Sequence, residues 1–226
     1  MAKKISIAID GPAGAGKSTI ARQLARELGY YYVDTGAIYR TVAYFFDLWG
    51  ISPRDLDGIT RYIDELTIGI EYDEEGVQHM IMNGMDVTDD IRTQEIGQKA
   101  SLVSAHAIVR ELLLDMQRSM AQEHDVVMDG RDIGTVVLPK ATVKIFLTAS
   151  PEVRARRRTN ELAAKGQKAN FEQILKEIQQ RDYQDTHREI APLKMARDSI
   201  KLDTSEMDID GVIAAIKDIV AKKVAP

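Results

Sequence analysis

Apolar runs and amphipathic stretches alternate along most of the chain. The first run, residues 5–10, is rich in isoleucine and predicts a buried strand. Residues 19–28 then repeat apolar positions at helical spacing, and Gly29 is typical of a helix end. Residues 30–33 predict a second strand and residues 37–49 a second helix. This alternation predicts an α/β fold, in which helices cover both faces of a mainly parallel sheet.

A different periodicity appears between residues 64 and 92. Apolar and polar side chains alternate over residues 67–72, and residues 77–82 predict a second short strand. Asn83-Gly84 is a hairpin-turn signal, after which residues 85–88 return as a third strand. The pattern predicts a small antiparallel insert within the α/β chain.

The rest of the chain resumes the alternating pattern. Further strands are predicted at residues 125–129, 143–147 and 199–203. Helices are predicted at residues 93–123, from Ser150 to about Gly166, from Asn170 up to Pro192, and at residues 209–220. In parallel sheets ligands bind at the carboxyl ends of the strands, so the residues after each strand are the candidates for chemistry.

Composition narrows the function classes. The 226 residues are 44% hydrophobic and 29% charged, which is typical of a folded globular chain. The net charge of −5 gives no electrostatic case for a nucleic acid or an anionic membrane as partner. The absence of cysteine excludes disulfides, thiolate metal sites and a cysteine nucleophile. No apolar stretch approaches the length of a membrane span, so we expect a cytoplasmic protein.

Residues 11–18 match the phosphate-binding pattern G-x-x-x-x-G-K-[ST], and they lie between the first strand and the first helix, as that motif requires. Its glycines let backbone N–H groups surround a phosphate at a helix N-terminus. Lys17 would reach the outer phosphates and Ser18 would ligate Mg²⁺. Asp129 ends an apolar strand, the usual place for a carboxylate that orients Mg²⁺ through water. The alternative, a chance glycine-rich turn, does not account for the flanking strand and helix.

Other charged residues follow the predicted strands or share helix faces. They are Arg40, Arg131, Asp132, and the stripe of Arg181, Asp185 and Arg188. Alone, each could be a surface arginine, a polar turn or an ion-pair ladder. Together they exceed what a simple ATPase needs, and they indicate a phosphotransferase with a phosphate-bearing acceptor.

Arginine is concentrated at residues 154–158. Arg154, Arg157 and Arg158 share one helical face, and without an anion between them they should repel one another. The alternative of a basic face for nucleic acid conflicts with the negative net charge. We therefore predict a mobile, arginine-rich lid at about residues 151–168 that closes over a phosphate.

Five segments together resemble bacterial cytidylate kinases: residues 11–19, 34–40, 90–95, 129–135 and 144–147. The first segment is common to many nucleotide-binding proteins, whereas the second, third and fourth are much more specific. The resemblance extends over nearly the whole chain. It implies a P-loop NTPase-type parallel sheet flanked by helices, an antiparallel acceptor-binding insert and a lid. The implied organisation is one domain over residues 1–226, with core segments 1–63, 93–150 and 169–226, the insert at about 64–92 and the lid at about 151–168.

The resemblance also implies a reaction and roles for individual residues. ATP would phosphorylate CMP or dCMP, with Mg²⁺ as cofactor, in a monomer whose partners are these nucleotides. Catalysis would fall to Lys17, Arg131 and Arg157. ATP would be bound by Gly11, Pro12, Ala13, Gly14, Ala15, Gly16, Lys17, Ser18, Thr19 and Arg157. CMP would be bound by Thr35, Tyr39, Arg40, Ser101, Arg110, Arg131, Asp132, Arg181, Asp185 and Arg188. Arg181 and Arg188 would position Asp185, which would accept hydrogen bonds from ribose hydroxyls.

One geometric consequence of these roles can be checked. Ser101 and Arg110 lie nine positions apart, which puts them on opposite faces of one straight helix. If both contact one base, the helix must break between them, and residues 105–107 are the place we predict.

Other acceptors remain alternatives, among them UMP, AMP, a small sugar or shikimate. A GTPase switch would need an Asn-Lys-x-Asp guanine-binding motif, which the sequence lacks. A regulatory ATPase would need a glutamate beside Asp129, where Gly130 stands instead.

Overall fold

The computed structural model describes residues 4–224. The predicted domain also includes residues 1–3 and 225–226, which lie outside the described residues. The strands are β1 (Ser6–Asp10), β2 (Tyr31–Asp34), β3 (Ile68–Tyr72), β4 (Gln78–Met82), β5 (Met85–Asp86), β6 (Val126–Gly130), β7 (Val143–Thr148) and β8 (Ile200–Asp203). The helices are α1 (Lys17–Leu28), α2 (Thr35–Leu48), α3 (Leu56–Tyr62), α4 (Gln94–Val103), α5 (Ala107–Glu123), α6 (Pro151–Ala164), α7 (Phe171–His187) and α8 (Ile209–Val224).

Five strands form one sheet in the order β2-β6-β1-β7-β8, and every neighbouring pair is parallel. The predicted α/β architecture is therefore confirmed. β1 lies at the centre and is buried along almost its whole length, as its isoleucine-rich sequence predicts. Because the strands are parallel, the loops that follow β1, β2 and β6 all open at one edge of the sheet.

Two apolar layers cover the sheet. On one face α1 and α8 bury Leu24 and Ile216 against Ile7 and Ile145. On the other face the core includes residues of α2, α5 and the antiparallel insert, packed on Ala8, Val33 and Met128 of β1, β2 and β6. Each fully buried large side chain contributes about 1.5–3 kcal/mol to stability, and these layers fix the strand ends rigidly.

The antiparallel insert is confirmed as a second sheet of β3, β4 and β5. Asn83 and Gly84 both have positive φ, 48° and 82°, which is the backbone that a tight hairpin of this kind requires. Side chains fasten the insert to the free edge of β2. The Tyr72 hydroxyl donates to the Tyr32 carbonyl at 2.8 Å, and Gln78 bonds both the amide and the carbonyl of Asp34.

The helix ends largely follow their capping residues. Ser150 and Asn170 accept hydrogen bonds from the amides of Val153 and Gln173, as the sequence predicts. The long helix predicted over residues 93–123 is in fact two helices, α4 and α5. The predicted interruption is confirmed, at residues 104–106 and so one residue earlier than the predicted 105–107.

Two other elements differ from the prediction. α2 begins at Thr35 instead of residue 37, because the Asp34 carboxylate caps the Ala37 amide at 2.8 Å. α3 was not predicted, although Asp55 caps it by accepting from the Gly58 amide. In the described part of the chain, every helix is too short or too polar to cross a membrane.

Candidate active site

The glycine loop connects β1 to α1 at the carboxyl edge of the sheet. Gly11 packs against β7 so closely that a Cβ there would lie 1.9 Å from the Leu147 carbonyl oxygen. Gly16 precedes α1 with a φ of 85°, a left-handed conformation that favours glycine. Ala15 is buried, and the Pro12 carbonyl accepts a hydrogen bond from Lys17 Nζ at 2.8 Å. Gly11 therefore has no room for a side chain, and Gly16 adopts a backbone conformation that other residues rarely adopt.

Three elements meet at Asp129, which lies on β6 and is almost fully buried. Its Oδ2 accepts from the Ser18 hydroxyl of α1 at 2.9 Å, and its Oδ1 accepts from the Tyr32 hydroxyl of β2 at 3.0 Å. The Asp129 backbone carbonyl accepts from the Thr35 hydroxyl at 2.7 Å. Ser18 and Asp129 thus lie together, as the sequence predicts for a site that orients a cation.

Burial perturbs the charged groups beside the loop. Desolvation, together with the positive charge of Arg131, lowers the pKa of Lys17, while Asp129 opposes that shift. Desolvation and the negative charge of Asp34 raise the pKa of Asp129. Both side chains are buried, and a bound phosphate or cation would interact with them more strongly there than in water.

The donor atoms fit Mg²⁺, which takes hard oxygen ligands such as a serine hydroxyl and, through water, a carboxylate. Within residues 4–224 no group of three or more His, Cys, Asp or Glu side chains is arranged to hold a metal by itself. A divalent cation between Ser18 and Asp129 would therefore take its remaining ligands from phosphate oxygens and water.

Across the loop, Asp185 of α7 is the centre of a second cluster. It accepts from Arg131 Nε at 2.8 Å and from the Ser101 hydroxyl at 3.4 Å. Arg131 is therefore the arginine that hydrogen-bonds Asp185, whereas Arg181 and Arg188 act on it through their charge, and their predicted positioning role stays a prediction. Arg188 instead donates to the Ser104 hydroxyl and the Ala191 carbonyl.

A third cluster surrounds Asp132, which follows β6. Asp132 Oδ2 is paired with Arg110 of α5, and its Oδ1 lies 3.7 Å from Arg188. Burial raises the pKa of Asp132, and Arg110 and Arg188 oppose that shift. Tyr39 lies beside the pair, with its ring centroid 5.7 Å from the Arg110 guanidinium carbon. The break between α4 and α5 lets the Ser101 and Arg110 side chains face the same space.

The arginines of this edge carry unused hydrogen-bonding capacity. Arg40 pairs with Asp34 at 3.0 Å through one nitrogen only. In the described chain, Arg40 Nε, Arg181 Nε and Arg188 Nη2 are buried and make no hydrogen bond. Buried donors without acceptors are costly, and their convergence fits an anionic ligand.

All three clusters open into one cleft of about 770 Å³. Its walls carry the predicted site residues Gly14, Lys17, Ser18, Thr35, Tyr39, Arg40, Ser101, Arg110, Asp129, Arg131, Asp132, Arg181, Asp185 and Arg188. Ala13 also lines it. The lining does not include the predicted residues Gly11, Pro12, Ala15, Gly16 and Thr19, the last of which is exposed on α1.

The arginines of α6 do not behave as the sequence suggests. The three that share one face each have a partner: Arg154 pairs with Asp182 at 2.6 Å, Arg157 donates to the Thr204 carbonyl at 2.6 Å, and Arg158 pairs with Glu161 at 3.2 Å. These separate partners offset the repulsion that the sequence predicts, and the lid mobility inferred from that repulsion stays a prediction. Arg154 is buried and also donates to the Ala13 carbonyl, so it supports the glycine loop.

The structure does not bring Arg157 into the cleft, where Arg158 lies instead. A contact between Arg157 and ATP would require the Arg157 side chain to leave Thr204, and this contact stays a prediction.

Sequence reasoning missed several residues that hold the site. Asp10 accepts from the Ile133 and Gly134 amides, both at 2.7 Å, and so fixes the π-helical turn after β6. Tyr32 of β2 donates to Asp129, and Gln78 of β4 accepts from the Asp34 amide at the end of β2. Of these residues, only Asp10 could have been identified from the sequence, because it is a charged residue at the end of a buried strand.

Comparisons with known proteins agree with this geometry. The family model described as cytidylate kinase matches residues 7–222. A cytidylate kinase of Lactobacillus johnsonii is 49% identical over 219 residues, covering 97% of this chain and 95% of its own. A cytidylate kinase of Bacillus licheniformis is 46% identical over 223 residues, covering 99% of each chain.

Among solved structures, an uncharacterized protein from Eubacterium ventriosum aligns with a TM-score of 0.52 at 13% identity, over 96% of this chain and 98% of its own. That likeness concerns the fold alone. The family match and the high identity over nearly the full length show that the chain belongs to the cytidylate kinase family.

Proposed function

We propose that this protein transfers the γ-phosphoryl group of ATP to CMP or dCMP, giving ADP and CDP or dCDP. One observation carries the proposal. A single cleft joins a phosphate-binding loop to two carboxylate–arginine pairs with buried carboxylates, Asp185–Arg131 and Asp132–Arg110. The loop supplies a donor site, and the pairs supply the polar groups that a sugar and a pyrimidine base require.

On the donor side, the loop amides and the N-terminus of α1 would bind the β- and γ-phosphates. Lys17 would exchange its bond to the Pro12 carbonyl for a phosphate oxygen. Ser18 and Asp129 would hold Mg²⁺, which when bound neutralises phosphate charge. These residues align the γ-phosphorus and hold the departing ADP.

On the acceptor side, the phosphate of CMP would lie among Arg40, Arg131 and Arg181. One of its oxygens attacks the γ-phosphorus, a new P–O bond forms, and the bond to the β–γ bridging oxygen breaks. A phosphate oxygen is already anionic near neutral pH, so no strong base is needed. Arg131 and Lys17 would stabilise the charge on the equatorial oxygens during transfer.

Asp185 would accept from the sugar hydroxyls, and the 3′-hydroxyl is present in both CMP and dCMP. Asp132 would read the base. Its Oδ2 is occupied by Arg110, whereas Oδ1 lies 3.7 Å from Arg188, beyond hydrogen-bond distance, and is available to the cytosine amino group. Arg110 and Ser101 would donate to the base's ring nitrogen and carbonyl.

Expectations of a monomer and of a cytoplasmic location stay predictions.

A panel of acceptors tests the proposal. The purified protein is given ATP and Mg²⁺ with CMP, dCMP, UMP, AMP or GMP, and ADP formation is measured for each. We expect CMP and dCMP to be much better acceptors than UMP, and the purine nucleotides to fail on size as well as on pairing. A preference for AMP, GMP or UMP would contradict the assignment.

A further inference from the structure

Tyr32 is a buried residue that the proposed chemistry does not yet use. It lies on β2, is 5% exposed, and packs its ring in the apolar layer between the sheet and α1. Its hydroxyl donates to Asp129 Oδ1 at 3.0 Å, while Ser18 donates to Oδ2 at 2.9 Å. Each oxygen of the Asp129 carboxylate therefore has its own donor, from two different elements.

We propose that Tyr32 is a positioning residue that fixes the orientation of the Asp129 carboxylate for the divalent cation of the donor nucleotide. The proposal rests on the proposed phosphotransferase function, because that function places a cation beside Ser18 and Asp129. Tyr32 itself does not contact the cation or the reacting phosphate. It acts through Asp129 alone.

Physical reasoning supports this role. A carboxylate held by one donor can rotate about its Cβ–Cγ bond, and here the Lys17 ammonium attracts it electrostatically. A second donor on the other oxygen defines the plane of the carboxylate and opposes that rotation. Hydrogen-bond partners outside the ligand shell commonly set metal affinity, with losses of about 10- to 100-fold when they are removed.

The hydroxyl of Tyr32 is itself held in place. β2 pairs with β6 so that Tyr32 lies opposite Val127, two residues before Asp129. The Arg22 guanidinium lies 5.5 Å from the ring centroid, and the Tyr32 carbonyl accepts from the Tyr72 hydroxyl at 2.8 Å. The ring is therefore fixed from its face and from its backbone, and the hydroxyl reaches Asp129 from a rigid strand.

The experiment compares Tyr32→Phe with a matched control, Tyr72→Phe. The control removes a hydroxyl that bonds the same strand but does not touch Asp129. Two affinities are measured for the wild type and both variants: ADP binding in EDTA, and Mn²⁺ binding to the ADP complex by electron paramagnetic resonance. The melting temperature of each protein records any change in folding.

We expect Tyr32→Phe to weaken Mn²⁺ binding about tenfold and to leave ADP binding in EDTA unchanged. Tyr72→Phe should leave both affinities as in the wild type. Unchanged Mn²⁺ affinity in Tyr32→Phe would overturn the proposal. So would an equal loss of both affinities, because the hydroxyl would then be a general structural contact.

The outcome is separable from that of the proposed function. If the wild type fails to phosphorylate CMP, the proposed function is wrong. If the wild type phosphorylates CMP but Tyr32→Phe binds Mn²⁺ normally, the positioning role of Tyr32 alone is wrong.

Discussion

Asp132→Asn should shift the acceptor preference from CMP toward UMP. Arg110 donates to Asp132 Oδ2, and a guanidinium cannot accept a hydrogen bond. The asparagine must therefore turn its carbonyl oxygen toward Arg110. Its amide nitrogen then takes the place of Oδ1, the atom we propose for reading the base. With cytosine, this amide and the amino group of the base would be two donors facing each other. With uracil, the amide would donate to the O4 carbonyl.

The size of the shift follows from the burial of Asp132, which is 4% exposed. An unpaired buried polar group costs about 1–3 kcal/mol, and a new neutral hydrogen bond contributes about 1 kcal/mol. The preference for CMP over UMP in transition-state binding should therefore weaken by about 2–4 kcal/mol. This corresponds to a fall of about 30- to 1,000-fold in the ratio of kcat/KM for CMP to that for UMP.

The assay measures kcat/KM for both acceptors on the same preparation, by coupled detection of ADP. Removing one charge from a buried pair also lowers stability, and a ratio taken on one preparation cancels any unfolded fraction. Asp185→Asn is the matched control: it should lower both values equally, because the sugar hydroxyls are common to CMP and UMP. If Asp132→Asn also lowered both equally, Asp132 would not read the base.

Three further predictions concern the donor loop, the turn after β6 and the lid. Lys17→Ala should lower kcat by at least about 100-fold. Its melting temperature should be nearly unchanged, because the cost of burying the ammonium offsets much of what its hydrogen bond to the Pro12 carbonyl contributes; retained turnover would exclude its role. Burial raises the pKa of Asp10 from 3.8 to about 6. Between these two values the folded state binds a proton that the unfolded state does not. The free energy of unfolding should therefore fall by up to about 3 kcal/mol as pH rises from 4 to 6. Urea unfolding should show that Asp10→Asn loses this slope, and an identical slope would contradict it. Hydrogen exchange should show that residues 150–168 gain protection when both nucleotides bind, as Arg157 leaves Thr204; equal protection with and without nucleotides would argue against a closing lid.

Local patterns were sufficient for most of the fold. The isoleucine-rich β1, the glycine loop and the cap at Ser150 each depend on residues close in sequence. The helix break between Ser101 and Arg110 was predictable for a different reason. It followed from requiring both side chains to reach one ligand, although no proline or glycine marks the site.

Long-range pairings explain what the sequence could not predict. Arg154 shares a helical face with other arginines, but its partner Asp182 lies 28 positions away on α7. Tyr32 and Asp129 are 97 positions apart and meet because β2 and β6 are neighbours. Periodicity identifies which face a residue occupies and carries no information about which distant side chain meets it. The tertiary packing alone determines those partners.

The fate of the γ-phosphoryl group tests the central claim most directly. The wild-type protein is incubated with Mg²⁺, CMP and ATP labelled at the γ-phosphorus, and the label is followed into products. The account predicts that the label appears in CDP, with one ADP formed for each CDP and no build-up of inorganic phosphate. Label released as inorganic phosphate without CDP would show an ATPase, and it would contradict the assignment of the cleft to phosphoryl transfer.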